Sequence, residues 1–339
     1  MTRRTRLLVL ASIVVVVVAV TSAQVWRAAE EAPARPASAS EPLSALPSGP
    51  QIVFRSTTLD AQNGLVMTVP LDDPQGDRTA LGPECDRVDA NRSQLVCLHT
   101  NRGVATTFDQ RLYVDGEPAA TWPLPGIPSR TRLSPSGRLV ASTVFVSGHS
   151  YLQTGFSTAT VIRETSGRAA GRSLGNLENW TLRVEGADLR AKNRNVWGVT
   201  FVDDRSFYAT VASGDLTWLM KGDVRKRTLT SLRRNAECPS VSPDGTRVAY
   251  KKLASGDRGH WNIAVLDLAT DTETVLAEER SVDDQLAWLD SETLLYGLPR
   301  PDEVGVTDVW KIGATADAEP QLLIENAWSP SVTQGIEGT

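Results

Sequence analysis

The chain has 339 residues, of which 41% are hydrophobic and 22% charged, and its formal net charge is −5. These values are ordinary for a folded globular protein and argue against disorder along the whole chain. Because the charges form no long run of one sign, the chain lacks the clustered basic surface that nucleic-acid binding requires, and we expect no nucleic-acid partner.

The N-terminal residues have the pattern of an export signal. Three arginines within the first six residues precede a continuous apolar stretch over residues 7–20. A positively charged segment before an apolar run directs a chain across a membrane. Extended to Trp26, the stretch is just long enough to span a bilayer as a helix. We therefore predict a signal peptide or a signal-anchor helix over residues 1–29. The rest of the chain is then extracytoplasmic, anchored to the cell membrane by this helix or secreted if the signal is cleaved.

Three further regions follow the N-terminal helix. Residues 30–50 are rich in proline, alanine and serine without periodicity, which predicts an extended linker. Residues 51–332 form the repetitive region, and residues 333–339 are a short tail.

The repetitive region consists of units of about 40 to 45 residues. The clearest unit runs from Glu237 to Leu276 and contains the turn sequence Ser242-Pro243-Asp244-Gly245 between two short apolar stretches. Proline, aspartate and glycine suit successive positions of a tight turn. Two further strands complete a four-stranded antiparallel unit. We predict equivalent tight turns at residues 89–92, 134–137, 202–205, 289–292 and 329–332. Four strands in a period of this length are typical of an all-β propeller.

The two ends of the repetitive region predict how the ring closes. The last unit stops after one strand, and the strand Ile52–Ser56 lacks a preceding partner. We predict six four-stranded blades, closed by pairing of Trp328–Val332 with Ile52–Ser56, which removes an exposed sheet edge. One unit is longer, with about 25 extra residues between Ser134 and Val202.

The repeats resemble the WD40-like, PD40-type repeats of TolB propellers, and the segments SPDGTRVAYKK and LSPSGRLVAS carry this resemblance. The order of segments, from CDRV and LVCLH through WGVTF to SVDDQLAWLD, is similar to that of TolB-like exported proteins of high-GC bacteria. The resemblance covers about residues 51–332 and implies a propeller that serves as an extracytoplasmic partner of envelope complexes. It is specific for the fold, whereas propellers host many unrelated activities.

The three cysteines suggest one disulfide. Cys85 lies four residues before the turn predicted at residues 89–92, and Cys97 lies five residues after it. In a hairpin these positions face each other within one residue of register, close enough for a disulfide in an oxidising compartment. The alternative is that both are small buried hydrophobic residues. Cys238 belongs to a blade across the ring, and we expect it to be free.

Few residues suggest catalysis. The sequence has no G-x-S-x-G motif, and its three histidines include only one, His149, beside a serine. Adjacent residues of an extended segment point to opposite faces, which disfavours a catalytic pair there. Asp283 and Asp284 either bind an ion or ligand or are solvated loop acids. We expect no catalytic residue, no metal and no cofactor.

One face of the ring is predicted to carry the function. The turns between first and second strands are short, whereas the longer links all project from the other face, around one mouth of the channel. Aromatic groups beside a few charges are typical of binding hot spots. The residues expected on this face are His149, Tyr151, Phe156, Trp197, His260, Asp283 and Asp284. We predict a non-catalytic scaffold that binds an envelope or membrane protein. The alternatives are a binder of a small ligand or carbohydrate, and a metal-dependent propeller hydrolase.

Overall fold

The computed structural model of the chain describes residues 42–44, 49–146, 157–167, 170–255 and 259–333. The helix predicted at residues 1–29 lies outside the described residues, as do residues 334–339 of the tail. Within the described ranges, no helix combines the length and the apolar character needed to cross a membrane.

The described residues form β-strands almost throughout, with a short 3-10 turn at Leu177–Asn179. The first thirteen strands are β1 (Gln51–Ser56), β2 (Leu65–Pro70), β3 (Thr79–Glu84), β4 (Arg87–Ala90), β5 (Gln94–Asn101), β6 (Thr107–Val114), β7 (Glu117–Leu124), β8 (Ile127–Leu133), β9 (Leu139–Val146), β10 (Ser157–Glu164), β11 (Ser173–Asn176), β12 (Thr181–Val184) and β13 (Ala187–Asp188). The next thirteen are β14 (Arg194–Phe201), β15 (Ser206–Ser213), β16 (Leu216–Asp223), β17 (Thr228–Arg234), β18 (Glu237–Val241), β19 (Arg247–Leu253), β20 (Trp261–Asp267), β21 (Glu273–Val275), β22 (Ala287–Trp288), β23 (Thr293–Pro299), β24 (Thr307–Gly313), β25 (Gln321–Ile324) and β26 (Ala327–Thr333).

These strands make six sheets, which are the six blades of a β-propeller, and apart from Asn101 and Thr107 their residues belong to one structural unit. In order from the first to the last strand of each, the blades are β26-β1-β2-β3, β4-β5-β6-β7, β8-β9-β10-β11, β14-β15-β16-β17, β18-β19-β20-β21 and β22-β23-β24-β25. The predicted number of blades is confirmed. The prediction of four strands in every blade is wrong for the fourth, because β12 pairs in parallel with the outer strand β17 and β13 pairs with β12. Part of the extra sequence before Val202 therefore extends a sheet.

The ring closes as predicted. Strand β26 pairs antiparallel with β1, with Val332 opposite Ile52 and Trp328 opposite Arg55. The first strands of neighbouring blades, β26, β4, β8, β14, β18 and β22, contact each other in sequence around the ring and line its channel. Each of these inner strands thus has a neighbour on both sides.

Aspartate side chains stabilise three of the tight turns between first and second strands. Asp203, Asp244 and Asp290 each accept hydrogen bonds from backbone N–H groups two or three residues further on, as short acidic side chains do in turns. Two predicted turns are wrong. The second blade turns at Asn91–Gln94 instead of residues 89–92. Residues 329–332 lie within β26, where an extra residue disturbs the pairing register without ending the strand.

The core lies between the blades. One buried cluster, for example, joins Val53 and Val66 of the first blade to Val88 and Tyr113 of the second. Leu43, one of the described residues of the linker, is also buried in this cluster, and its N–H donates to the carbonyl of Gly116. Propeller blades bury their apolar faces against one another in this way.

The disulfide between Cys85 and Cys97 is present, with a Cα–Cα distance of 5.4 Å, and Cys238 is free and buried. The strand register from which we predicted this disulfide is wrong. Cys97 lies opposite Val88, and Cys85 precedes β4. The bond instead ties the link between the first two blades to the second strand of the second blade.

Candidate binding site at the channel mouth

The two faces of the ring differ in their links. We call the face with the tight turns at residues 134–138, 202–205, 242–246 and 289–292 the turn face. The opposite face, which we call the mouth face, carries the links from second to third strands and from blade to blade. Its described links include residues 57–64, 125–126, 276–286 and 300–306.

Four inner strands carry an extra residue, which in β8, β18 and β26 lies near the end that opens on the mouth face. The register shifts by one residue within β8, β14, β18 and β26, relative to their second strands. At three of these places the backbone has a positive φ, namely at Gly198, Cys238 and Ser329. A β-bulge re-aims the side chains beside it, and bulges are frequent near binding sites. At Gly198 a side chain is excluded, because a Cβ atom would lie 2.7 Å from the Cα of Cys238.

Asp284 and Arg87 form a buried ion pair beside the channel. The Nη1 atom of Arg87 donates to Asp284 Oδ1 at 3.2 Å, and its guanidinium lies 3.8 Å from the ring centre of Trp328. Asp284 also accepts from the backbone N–H of Gln285 and of Gly297. Burial and the positive charge of Arg130 lower the pKa of Arg87 to about 9, whereas Asp284 acts in the opposite direction. Asp284 is therefore not a solvated loop acid.

Asp283 differs from its neighbour because it is exposed. Its side chain is 65% exposed and forms an ion pair with the Nζ atom of Lys251, which is only 4% exposed. Lys251 also lies over the ring of Trp261 and 4.0 Å from Glu237. Burial opposes ionisation of Asp283, but the charges of Lys251, Arg130 and Arg87 lower its pKa. The carboxylate of Asp283 is therefore a charged group that the mouth presents to solvent.

Arg130 lies deeper, between these two pairs. Its Nη1 atom donates to the carbonyl of Ser129 at 2.9 Å, and its buried Nε–H has no acceptor. Burial alone would lower the pKa of Arg130, but the Cys238 sulfur and the two carboxylates at Asp284 and Asp283 raise it, so the guanidinium stays charged.

A small polar cavity opens beside Arg130, with room for about one water molecule. The residues that line it are Arg87, Arg130, Thr131, Arg132, Asp284, Gln285, Ser329 and Pro330. Arg132 forms an ion pair with Asp89 and donates a hydrogen bond to the carbonyl of Leu286. The cavity wall is thus rich in guanidinium groups.

Large apolar side chains are exposed on the mouth face. Leu59 is 71% exposed, Ile127 59%, Phe145 39% and Val304 96%, and each lies in a link or at a strand end on this face. Among the described residues of the turn-face links, no large apolar side chain is exposed to this extent. These side chains belong to the first, third and sixth blades, and a molecule that covers this face would bury them.

The predicted site residues are distributed as follows. Trp197 lies in β14 at the channel, where it is buried against Ala212 and Cys238. Asp283 and Asp284 lie at the mouth, and His260 lies to the outside of them, immediately before β20. His149, Tyr151 and Phe156 lie outside the described residues. Within the described part of the chain, no group of histidine, cysteine or acidic residues has the arrangement of a metal site.

Sequence reasoning missed the basic residues of the mouth, Arg87, Arg130 and Lys251. A single arginine or lysine in a strand usually faces solvent, and nothing local marks these three as different. The available signal was positional, because Arg87 and Arg130 both occur in the first strand of a blade, which lines the channel. The residues that aim Arg130 inward belong to a bulge, which the sequence pattern does not reveal.

Comparisons with known proteins support the fold. No protein-family model matches the chain, and no curated protein matches its sequence. Among solved structures, the chain is similar to TolB from Acinetobacter baumannii, with a TM-score of 0.59, 14% identity and coverage of 84% of this chain and 67% of that one. A structure of a nidogen/laminin complex matches with a TM-score of 0.54 and 12% identity over 84% of this chain and 99% of that one.

A puromycin-hydrolysing peptidase of Mycobacterium tuberculosis matches with a TM-score of 0.50 and 15% identity over 84% of this chain, which spans only 44% of the peptidase. Identities this low describe the fold alone. The chain therefore has the fold of a TolB-like six-bladed propeller, and its neighbours in fold include both enzymes and non-enzymes.

Proposed function

We propose that the chain is a non-catalytic scaffold of the cell envelope, which holds a protein partner on the mouth face of its propeller. The observation that carries this proposal is the uneven distribution of exposed apolar side chains, with Leu59, Ile127, Phe145 and Val304 on the mouth face. A protein partner buries apolar groups spread across a face, whereas a small ligand needs a deep pocket.

Two further features support this proposal. The cavity at the mouth has room for about one water molecule, which is far smaller than the pockets that enclose a sugar or a drug-sized ligand. The disulfide between Cys85 and Cys97 fits an oxidising compartment outside the cytoplasm, as does the export signal predicted at residues 1–29.

The test is a crosslinking pull-down of the full-length chain from native membranes. We expect Val304→Asp and Asp283→Lys each to reduce partner recovery, because both residues are exposed on the mouth face. Val304 is 96% exposed, so its substitution should leave folding unchanged. Glu292→Lys is the matched control, because this exposed acid lies in the same blade as Asp283 but on the turn face. Equal recovery for all three variants and the wild type would refute the proposal.

The alternative is an enzyme, because one structural neighbour hydrolyses puromycin. Turnover of peptide or glycan substrates by the purified chain, lost in Asp283→Lys and kept in Glu292→Lys, would replace the scaffold with a hydrolase.

A further inference from the structure

Several basic side chains beside the channel form ion pairs with carboxylates of the described residues. Arg87 pairs with Asp284, Arg132 with Asp89, and Lys251 with Asp283. Arg130 lies among these pairs, yet no carboxylate of the described residues reaches it at ion-pair distance. Its charge is stabilised by the Cys238 side chain, which also hydrogen-bonds to it, and through space by Asp284 and Asp283. Among the described residues, this guanidinium of the mouth therefore has no carboxylate partner.

The unused part of this guanidinium has a defined direction. Nη1 of Arg130 is occupied by the carbonyl of Ser129, whereas the buried Nε–H has no acceptor. In a guanidinium, Nε and Nη2 form the edge that a carboxylate binds side-on through two parallel hydrogen bonds. A buried donor without an acceptor is rare in folded proteins, and it points to a group that the chain alone does not supply.

The surroundings restrict what that group is. The cavity beside Arg130 holds about one water-sized group, so it accepts the tip of a side chain or a single small anion. Asp283 and Asp284 lie near enough to influence the charge of Arg130, and they disfavour a divalent anion such as phosphate. A monovalent planar anion meets both conditions, and among the groups of proteins this is a carboxylate.

The route into the cavity starts on the mouth face. Strand β8 begins at Ile127, whose side chain is exposed, and its register shift at Ser129 immediately precedes Arg130. A segment that covers Ile127 on the mouth face thus passes within a few residues of the Arg130 guanidinium. We propose that Arg130 binds a carboxylate group of the docked protein partner, which inserts from the mouth face into this cavity. The inference rests on the proposed function and specifies the chemistry of the partner.

The first experiment measures partner recovery by the full-length chain in the same crosslinking assay. Arg130→Gln removes the charge and should lower recovery at least tenfold. Arg130→Lys keeps the charge without the side-on edge and should give intermediate recovery. The matched control is Arg163→Gln, because Arg163 also has a buried Nε–H without an acceptor but lies in β10 over Trp122. A melting curve for each variant checks that it is folded.

The second experiment identifies the source of the carboxylate. Sodium acetate, exchanged for sodium methanesulfonate at constant ionic strength, should raise the melting temperature of the wild type and of Arg163→Gln but not of Arg130→Gln. Acetate should also compete with the partner for the wild-type chain. If acetate acts through Arg130 while Arg130→Gln retains the partner, the site takes a free carboxylate and the proposed source is wrong.

The outcomes separate this inference from the proposed function. Normal recovery by Arg130→Gln together with lost recovery by Val304→Asp would overturn the role of Arg130 and leave the docking face in place. Normal recovery by both variants would overturn the docking face itself. If Arg130→Gln is unfolded, Arg130→Lys decides the question, because recovery equal to that of the wild type contradicts side-on binding.

Discussion

Replacing Asp284 with asparagine should destabilise the propeller strongly, because the side chain is 3% exposed and pairs with the buried Arg87. The carboxylate accepts from Arg87 at 3.2 Å, from the N–H of Gln285 at 2.9 Å and from the N–H of Gly297 at 3.2 Å. Asparagine keeps one acceptor oxygen but turns an NH₂ group toward one of these donors. It leaves Arg87 as a buried charge without a partner, and breaking such a pair costs about 3–5 kcal/mol.

The neighbouring acid provides the matched control for this prediction. Asp283→Asn also removes one ion pair, but Asp283 is 65% exposed and the buried Lys251 keeps Glu237 at 4.0 Å, so we expect a smaller loss of about 1 kcal/mol. Urea unfolding of the full-length variants, followed by tryptophan fluorescence, measures both values. The double variant Arg87→Met with Asp284→Asn should lose less than the two single variants together, because no charge is left unpaired. Equal losses for Asp284→Asn and Asp283→Asn would show that burial of the pair has no energetic role.

Three further predictions test the fold. Deleting Ala327–Thr333 should lower stability by at least about 3 kcal/mol and broaden the melting transition, because it uncovers two wholly buried side chains of β1; an unchanged melting curve would argue against the closure. Replacing Cys85 and Cys97 with alanine should cost about 3 kcal/mol in urea unfolding, the entropy expected for a loop closed over a separation of 12 residues, while reducing agent should have no further effect on this variant. Burial raises the pKa of Glu178 to about 7 from an ordinary value of 4.5, so the stability contributed by its neutral form is complete below pH 4.5 and is lost as the pH rises through 7. Between pH 5 and 8 the wild type should therefore lose on the order of 2 kcal/mol relative to Glu178→Gln, and parallel pH profiles of the two proteins would contradict the shift.

The sequence predicted the blades well because their determinants are local. In the turn Ser242–Gly245, proline, aspartate and glycine each act within four residues, and the aspartate makes the predicted bonds. The closure was also predictable, because an incomplete unit at each end implies one shared blade.

The register of the second blade was not predictable because two residues compete for the same role. Asp89 and Asn91 both suit a tight turn. In the folded chain Asn91 makes the turn, through bonds from the N–H groups of Ser93 and Gln94. Asp89 instead accepts from the N–H of Leu133 in the next blade, a contact between residues far apart in sequence. Only tertiary packing distinguishes the two.

Tertiary packing also limited how much of the candidate site could be predicted from the sequence. Asp283 and Asp284 are identical residues in one loop, yet one is exposed and the other lies under Trp328 and Gly297. Their difference depends on β23 and β26, which belong to two different blades. Likewise, the outer strands β12 and β13 are only four and two residues long, and their place in a sheet depends on the edge that β17 offers.

The pairing that closes the ring also determines how the molecule responds to force. Gln51 lies opposite Thr333 at one end of the strand pair, and Ser56 lies opposite Ala327 at the other end. A load applied between Gln51 and Thr333 therefore peels β26 from β1, breaking the hydrogen bonds one after another. Two strands pulled lengthwise past each other would instead resist with all their bonds together. Single-molecule pulling on these two positions should open the ring at a much lower force than pulling across the middle strands of one blade.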